Sequence, residues 1–288
     1  MAGCKIAWIG AGKMGLPVCL RLKAAGHDVR VLARRSDQAA KLRELGFETA
    51  ASVADTVRQA EIIFTCVPDD KVLSDVILND AFRAVLAERA TLIDMSTVSP
   101  AISQEIAASL PRSVAYLRSP VSGSTSMAQA GTLTALVSGP RSVFDAMAGI
   151  FAAFTKKAFH LGEGEEARFL KLAVNSMVAA TSVLLGEALA FGRKGGLTDA
   201  AMLEVISQSA VASPLIGYKK DMITSADYQP QATLNMLMKD LDLLLAAGNT
   251  PLPVASMVRE IYGAAADRGL GEKDFFVLVQ EAERARIA

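Results

Sequence analysis

Lys171 and Asn175 stand four residues apart in Glu165–Lys194, a stretch that otherwise reads as one long apolar helix. That spacing puts both on one helix face, one turn apart. A lysine beside apolar surface is costly unless something uses or solvates its charge. Burial lowers its pKa and lets it give and take a proton. The plain alternative is a stem lying on apolar surface with its charged head in water. A second group, Gly10-Ala-Gly12-Lys13-Met14-Gly15, joins the apolar strand Lys5–Ile9 to a helical run ending at Ala25. Gly10 permits a tight turn, Gly12 lets backbone approach a pyrophosphate, and Gly15 lets the helix pack closely on the strand. The anion would rest on N–H groups at the helix N-terminus; the alternative is an ordinary glycine loop. The third group follows the next strand, Asp28–Leu32, which runs into Ala33-Arg34-Arg35-Ser36 with no acid before Asp37. An NAD-binding strand usually ends in an acid that bonds the ribose 2′-hydroxyl. Two guanidiniums instead suit a 2′-phosphate by charge and fork geometry. The expected cofactor is NADP(H), with NAD(H) the lesser option; a solvated basic turn is the alternative.

The elements that must carry these groups alternate. Helices are expected at Ala39–Leu45, Ser52–Gln59, Asp70–Leu78, Ala81–Leu86, Ala101–Leu110 and Ser142–Phe154. Strands are expected at Glu61–Val67, Thr91–Met95, Val114–Leu117, Leu133–Ser138 and Lys157–Leu161. This is the pattern of an α/β, doubly wound Rossmann-like sheet, over 1–162. Ligands in such sheets lie at the carboxyl ends of strands, where Val67-Pro68, Ser96-Thr97 and Ser122-Gly123 fall. After Leu161 the strand signals stop. Helices are expected at Glu165–Lys194, Asp199–Ser207, Pro214–Met222, Gln231–Ala247, Pro253–Arg268 and Phe275–Ile287, giving an all-α domain over 163–288.

The first of these is the joining helix. It has no proline, Glu165 and Glu166 sit in its first turn, and Arg193 and Lys194 sit in its last, before Gly195-Gly196 stops it. Its body would be about 40 Å long. Apolar residues on nearly every face between Leu172 and Gly186 predict burial all round, in an interdomain and intersubunit core. The uncharged run is too short to span a bilayer.

Composition narrows the function. The chain has 288 residues, 51% of them hydrophobic, with 30 basic and 30 acidic side chains that cancel. That argues against a broad basic face for nucleic acid and against a polybasic membrane anchor. Cys4, Cys19 and Cys66 have no paired spacing, so neither a disulfide framework nor a metal site is indicated. No signal peptide is visible, and the default location is the cytoplasm.

The motifs, in order, resemble the β-hydroxyacid dehydrogenase family, which includes 3-hydroxyisobutyrate dehydrogenase and the glyoxylate/succinic semialdehyde reductases. Gly10–Gly15 with Met14 looks like its cofactor loop. Phe64-Thr-Cys-Val67-Pro68-Asp-Asp70 and Asp94-Met-Ser-Thr97-Val-Ser-Pro100 are similar to segments along its cofactor. Pro120-Val-Ser122-Gly123, followed by Gly131-Thr-Leu-Thr134, looks like its substrate signature. Lys171 with Asn175 is similar to its catalytic pair, and Met238-Lys239-Asp240-Leu241 to a late motif near its active site.

The likeness covers essentially the whole chain. It implies an enzyme that interconverts a small 3-hydroxy acid, or a 2-hydroxy acid such as glycolate, and its semialdehyde or oxo acid. Lys171 is then the acid–base group and Asn175 its partner. Ser122, Gly123, Ser124 and Lys239 belong to the carboxylate-bearing substrate. Gly10, Gly12, Lys13, Met14, Gly15, Ala33, Arg34, Arg35, Val67, Pro68, Thr97 and Lys239 belong to the cofactor. The assembly implied is a homodimer or homotetramer. An imine reductase, which commonly replaces the lysine, and a non-catalytic NADP(H)-binding protein are the rival readings. The chain also departs from the family. Glu165 and Ala167 stand where its glycines usually precede the lysine, Arg118 where Asp is common, and Ser124 where a second Gly is common. Arg168 competes with Lys171, but only Lys171 has an Asn four residues on.

Overall fold

The computed structural model describes residues 3–282. It divides into two compact units, Met1–Lys171 and Leu172–Ala288. In the first, strands β1 (Lys5–Ile9), β2 (Asp28–Leu32), β3 (Glu48–Ala50), β4 (Ile62–Thr65), β5 (Thr91–Asp94) and β6 (Ala115–Arg118) form a parallel sheet in the order β3-β2-β1-β4-β5-β6. Helices α1 (Gly15–Ala24), α2 (Ser36–Glu44), α3 (Val53–Val57), α4 (Asp70–Ile77), α5 (Asp80–Arg83) and α6 (Pro100–Ser109) connect them. Side chains alternate between two cores. Trp8, Phe64, Ile93 and Leu117 face one, and Ala7, Ile63, Leu92 and Tyr116 face the other. A parallel sheet covered on both faces requires such near-continuous apolar strands. The order reverses between β1 and β4, the switch point where dinucleotides bind in such folds.

A second, three-stranded sheet follows: β7 (Val121–Ser122), β8 (Leu133–Val137) and β9 (Thr155–His160), with α7 (Thr125–Ala130), α8 (Arg141–Ala146) and α9 (Ala148–Ala152) between its strands. β7 pairs antiparallel to β8, and β9 pairs parallel to it. The expected strands are thus shared between two sheets, of which the six-stranded one is the doubly wound sheet. A bridge between Arg118 and Ser138 ties them at the end of β6. β3, β7 and α7 were not foreseen. The first is a polar edge strand, the second has two residues, and the third is one capped turn and a half, so none carries a hydrophobic period.

α10 (Glu166–Lys194) runs from the first unit into the second, which continues with α11 (Asp199–Gln208), α12 (Pro214–Ser225), α13 (Leu234–Ala247), α14 (Pro253–Ala265) and α15 (Leu278–Glu281). The expected final helix is instead a 3-10 turn, Phe275–Val277, and the short α15; its remainder lies outside the described residues. α10 has the expected length, but the expectation of burial all round is wrong for the single chain. Ala179, Leu185 and Leu189 enter the helical core, whereas Met177, Leu184 and Phe191 are 72%, 68% and 79% exposed. One edge meets the core and the opposite edge, equally apolar, does not. Among the described residues α10 is the one helix long and apolar enough to cross a membrane, though 28% of its most apolar window is buried in the protein.

The second unit is pinned by an ion pair. Lys219 on α12 donates to Asp274 Oδ2 at 2.7 Å, and both side chains are buried. Asp274 also accepts from the backbone N–H of Gln231 at 3.0 Å and Phe276 at 3.1 Å. Burial pushes the Lys219 pKa down, and Asp274 pulls against that shift. Removing one member of a buried pair strands the other's charge. Asp274→Ala should therefore lower unfolding free energy by about 3–5 kcal/mol in guanidinium titration, and a loss under about 1 kcal/mol would mean that this pair holds nothing.

Candidate active site

Gly10 follows β1 with φ +102°, and a Cβ there would fall 2.1 Å from the Cys66 carbonyl oxygen. The backbones of the β1 and β4 ends thus touch at the switch point, where Cys66 N–H donates to Ile9 O at 2.8 Å. A Cβ on Gly15 would fall 2.2 Å from Gly10 O, so the turn closes tightly against α1. Gly12 differs: it is exposed, and a Cβ there would meet nothing within 4 Å. The start of α1 has no acidic residue in its first turn, and Met14 gives it no side-chain cap. Open backbone before an uncapped helix N-terminus is what a pyrophosphate needs, and the residues present fit a dinucleotide. Lys13 is exposed beside it, and Met14 packs against the core.

At the end of β2, Ala33 is buried and donates to Ala50 O at 2.9 Å. Arg35 forks onto Asp37 with bonds of 3.1 and 2.9 Å. The Arg35 bond holds the Asp37 carboxyl below its ordinary pKa. Asp37 is thus engaged by its neighbour, and Arg34 stands exposed before it. Past β4, Val67 N–H donates to Ser96 Oγ at 2.9 Å, which couples the two cofactor segments foreseen at Val67-Pro68 and Thr97. Pro68 is exposed and Thr97 half-buried.

Ser122 lies in β7 opposite Thr134, and Gly123 has φ +137°. Ser124 Oγ accepts from Met127 N–H at 3.3 Å and caps α7, so this departure from the family has a local structural use.

Lys171 is half-buried on α10. Its rival Arg168 is fully buried and committed. It donates to Ser96 O at 2.6 Å and Tyr116 Oη at 3.0 Å, and it bonds Asp94 Oδ2. Burial opposes its charge, but Asp94 and Tyr116 more than compensate and raise its pKa further. A guanidinium held this way cannot exchange protons near neutrality. In the second unit, Asn175 Nδ2 donates to Asp240 Oδ2 at 2.6 Å, and Lys239 Nζ lies 3.0 Å from Asp240 Oδ1. Asp240 is 6% exposed, so the Lys239–Asp240 pair is no loose surface contact. Asp240 is the functional candidate that the sequence reading quoted within a motif without giving it a role. The bond it accepts fixes which end of the Asn175 amide is the donor and which the acceptor.

The fold and the glycine cradle define a dinucleotide-binding protein, and comparison with known proteins narrows the class. Residues 5–162 match the family described as the NAD binding domain of 6-phosphogluconate dehydrogenase, and residues 165–281 that described as NAD-binding of NADP-dependent 3-hydroxyisobutyrate dehydrogenase. The chain belongs to the β-hydroxyacid dehydrogenase family and is an NAD(P)-dependent enzyme acting on CH–OH groups.

It is 29% identical over 287 residues to 2-(hydroxymethyl)glutarate dehydrogenase of Eubacterium barkeri, covering 97% of this chain and 95% of that one. It is 29% identical over 263 residues to human cytokine-like nuclear factor N-PAC, covering 90% of this chain but 48% of that protein, about half its length. The structure of Mycobacterium tuberculosis 3-hydroxyisobutyrate dehydrogenase with L-serine is similar in fold, with a TM-score of 0.88, 24% identity, and 98% and 100% of the two chains covered. An imine reductase from Pseudomonas sp. shares the fold less closely, with a TM-score of 0.63, 20% identity and 96% and 99% covered.

Gly12 and Gly10 make opposite demands. Gly12→Ala should fold with wild-type thermal stability yet bind NADP(H) about tenfold more weakly, a loss of ~1.4 kcal/mol, in a fluorescence titration. Unchanged binding would place the pyrophosphate elsewhere.

Proposed function

We propose that this chain is an NADP(H)-preferring β-hydroxyacid dehydrogenase, with NAD(H) as a weaker cofactor. It interconverts a small 3-hydroxy acid, or a 2-hydroxy acid such as glycolate, and the corresponding semialdehyde or oxo acid. The observation that carries the reading is the Lys171/Asn175 pair on one face of α10, with Asn175 held by the buried Asp240. The names of two relatives support the 3-hydroxy acid. 2-(Hydroxymethyl)glutarate and 3-hydroxyisobutyrate each carry a primary alcohol on the carbon next to the one bearing carboxylate. Arg34, with Asp37 already engaged by Arg35, supports the 2′-phosphate and a reductive direction on a semialdehyde or glyoxylate.

The bound nicotinamide supplies or takes the hydride. The chain's own task is to hold the substrate and move one proton. Lys171, as an ammonium, donates to the carbonyl oxygen as negative charge develops there; in oxidation its neutral amine takes the hydroxyl proton. Asn175 offers its amide oxygen as an acceptor, either to the Lys171 ammonium or to the substrate hydroxyl. Small residues at Ser122 and Gly123 admit the substrate carboxylate close to backbone N–H groups.

The test is loss of reduced-nicotinamide absorbance with a panel of glyoxylate, succinic, methylmalonate and tartronate semialdehydes, plus a cyclic imine. Turnover of an aldehyde is expected. Lys171→Ala should cut kcat by about 10²- to 10⁴-fold while NADPH still binds, and Arg34→Ala should weaken NADPH far more than NADH. Reduction of the imine alone would favour the imine reductase reading; NADPH binding without any turnover would favour a non-catalytic protein.

The chain also assembles as a homodimer or homotetramer through α10. Leu170, Met177, Leu184 and Phe191 recur every seven residues and are 39%, 72%, 68% and 79% exposed, the spacing of a helix–helix seam. Light scattering should find at least a dimer, and Leu184→Glu should shift it toward monomer. A wild-type monomer at micromolar concentration would overturn this assembly.

A further inference from the structure

The first turn of α10 is fastened to the nucleotide-binding unit by four buried charges. Arg168 and Asp94 are 1% and 0% exposed as side chains; Arg118 and Glu165 are 8% and 6%. Arg168 reaches three elements. Nη2 bonds Asp94 at the end of β5 and donates to Tyr116 Oη on β6 at 3.0 Å. Nη1 donates to Ser96 O at 2.6 Å. Nε points to Ser103 Oγ on α6 at 3.4 Å, and Ser103 in turn lies 3.2 Å from Tyr116 Oη. Asp94 is satisfied from the other side by Thr65 Oγ1 at 2.7 Å and Ser96 N–H at 3.0 Å. Ser96 then accepts Val67 N–H through its hydroxyl. The guanidinium therefore binds β5, β6 and the Ser96 loop directly, and reaches the end of β4 and Val67 through Asp94 and Ser96.

The second pair braces the first. Arg118 Nε donates to Glu165 Oε1 at 2.9 Å, and the Arg118 guanidinium lies 4.4 Å from the Tyr116 ring centroid. Tyr116 thus takes one arginine at its hydroxyl and the other on its ring face. Glu165 O accepts Arg168 N–H at 2.9 Å, so the helix starts between the two pairs. Arg118 and Glu165 are also two of the four positions at which the chain departs from the family pattern, the others being Ser124 and Ala167. They carry opposite charges and meet each other, so these two departures form one pair.

Stability alone does not call for this arrangement, because hydrophobic replacements of buried ion pairs are often as stable or more so. What forked, fully bonded charges supply is fixed geometry. We propose that Arg168, paired with Asp94 and braced by Arg118–Glu165, is a positioning residue for the reaction: it sets the register of α10, and hence of Lys171 three residues on, against the cofactor segments at Val67 and Ser96-Thr97. This rests on the proposed acid–base role of Lys171.

The test uses the full chain. Arg168→Lys keeps the charge but loses the fork. It should lower kcat by about 10²-fold, the cost of a misplacement near 1 Å, while NADPH affinity changes by less than about threefold, a shift of ~0.65 kcal/mol. Tyr116→Phe removes one bond and should lower kcat about tenfold at unchanged fold; it serves if Arg168→Lys fails to fold. Hydrogen exchange should quicken at Val67 and Ser96 in either variant and stay unchanged along β1. Arg118→Glu and Glu165→Arg should each lower kcat, and the double variant should recover most of it. Wild-type kcat in folded Arg168→Lys or Tyr116→Phe would overturn the proposal. So would a double variant no better than the singles, or exchange at Val67 and Ser96 that does not move. If the wild-type chain turns over no carbonyl compound, the proposed function fails, and the exchange measurement still decides the positioning role.

Discussion

A carboxylate and a guanidinium taken out of water survive as charges only if each finds a nearly full set of partners. Asp94 and Arg168 meet that requirement, and much of the nucleotide-binding unit is arranged to let them. Asp94 ends β5 and so sits among the neighbouring strand ends. Thr65 comes from β4 in register with it, and Arg118 opposite it ends β6. Ser96 turns its amide and carbonyl toward the pair and its hydroxyl toward Val67. The loops that follow the strands are therefore set by side-chain bonds beneath them, and the sheet alone does not fix them.

The two units solve the same problem differently. In the first, charges join a helix start to a sheet edge. In the second, Lys219 and Asp274 join α12 to the turn before the last helices, with the ammonium over the rings of Phe275 and Phe276 at 5.2 and 5.6 Å. The second pair organises backbone, since Asp274 collects N–H groups that no regular element satisfies. The first organises the loops that follow β4 and β5.

Much of this was legible in the sequence wherever the constraint was local. Gly10 and Gly15 could be read from their spacing between a strand and a helix, although only the Gly15 contact, with Gly10 O, is local; the one at Gly10 is with Cys66 across the sheet. The strand–helix alternation followed from apolar runs broken by turn residues, and the helix Glu166–Lys194 from a run of helix formers without proline, with acids at its start and bases at its end. Constraints between distant residues were not legible. Arg168 lies 74 residues from Asp94, and Glu165 lies 47 from Arg118. One sequence displays each as an oddity without naming its partner, although two departures of opposite charge were a signal. β7 and α7 escaped for another reason: elements of two and six residues are held by pairing and capping, with too few positions for a pattern. The seven-residue stripe on α10 was visible as apolar residues, but not as an edge left outside the chain's own core.

The Arg118–Glu165 pair also bears on how such chains can be recombined. Sequence similarity divides this protein between residues 162 and 165, which invites a graft at that seam. Such a joint would take Asp94 and Arg118 from one parent and Glu165 and Arg168 from the other. Glu165 Oε2 is already buried without a hydrogen bond, and a donor lacking an arginine at 118 would leave the whole carboxylate without its counter-charge. A graft that keeps both pairs within one parent must join after Arg168, inside the helix.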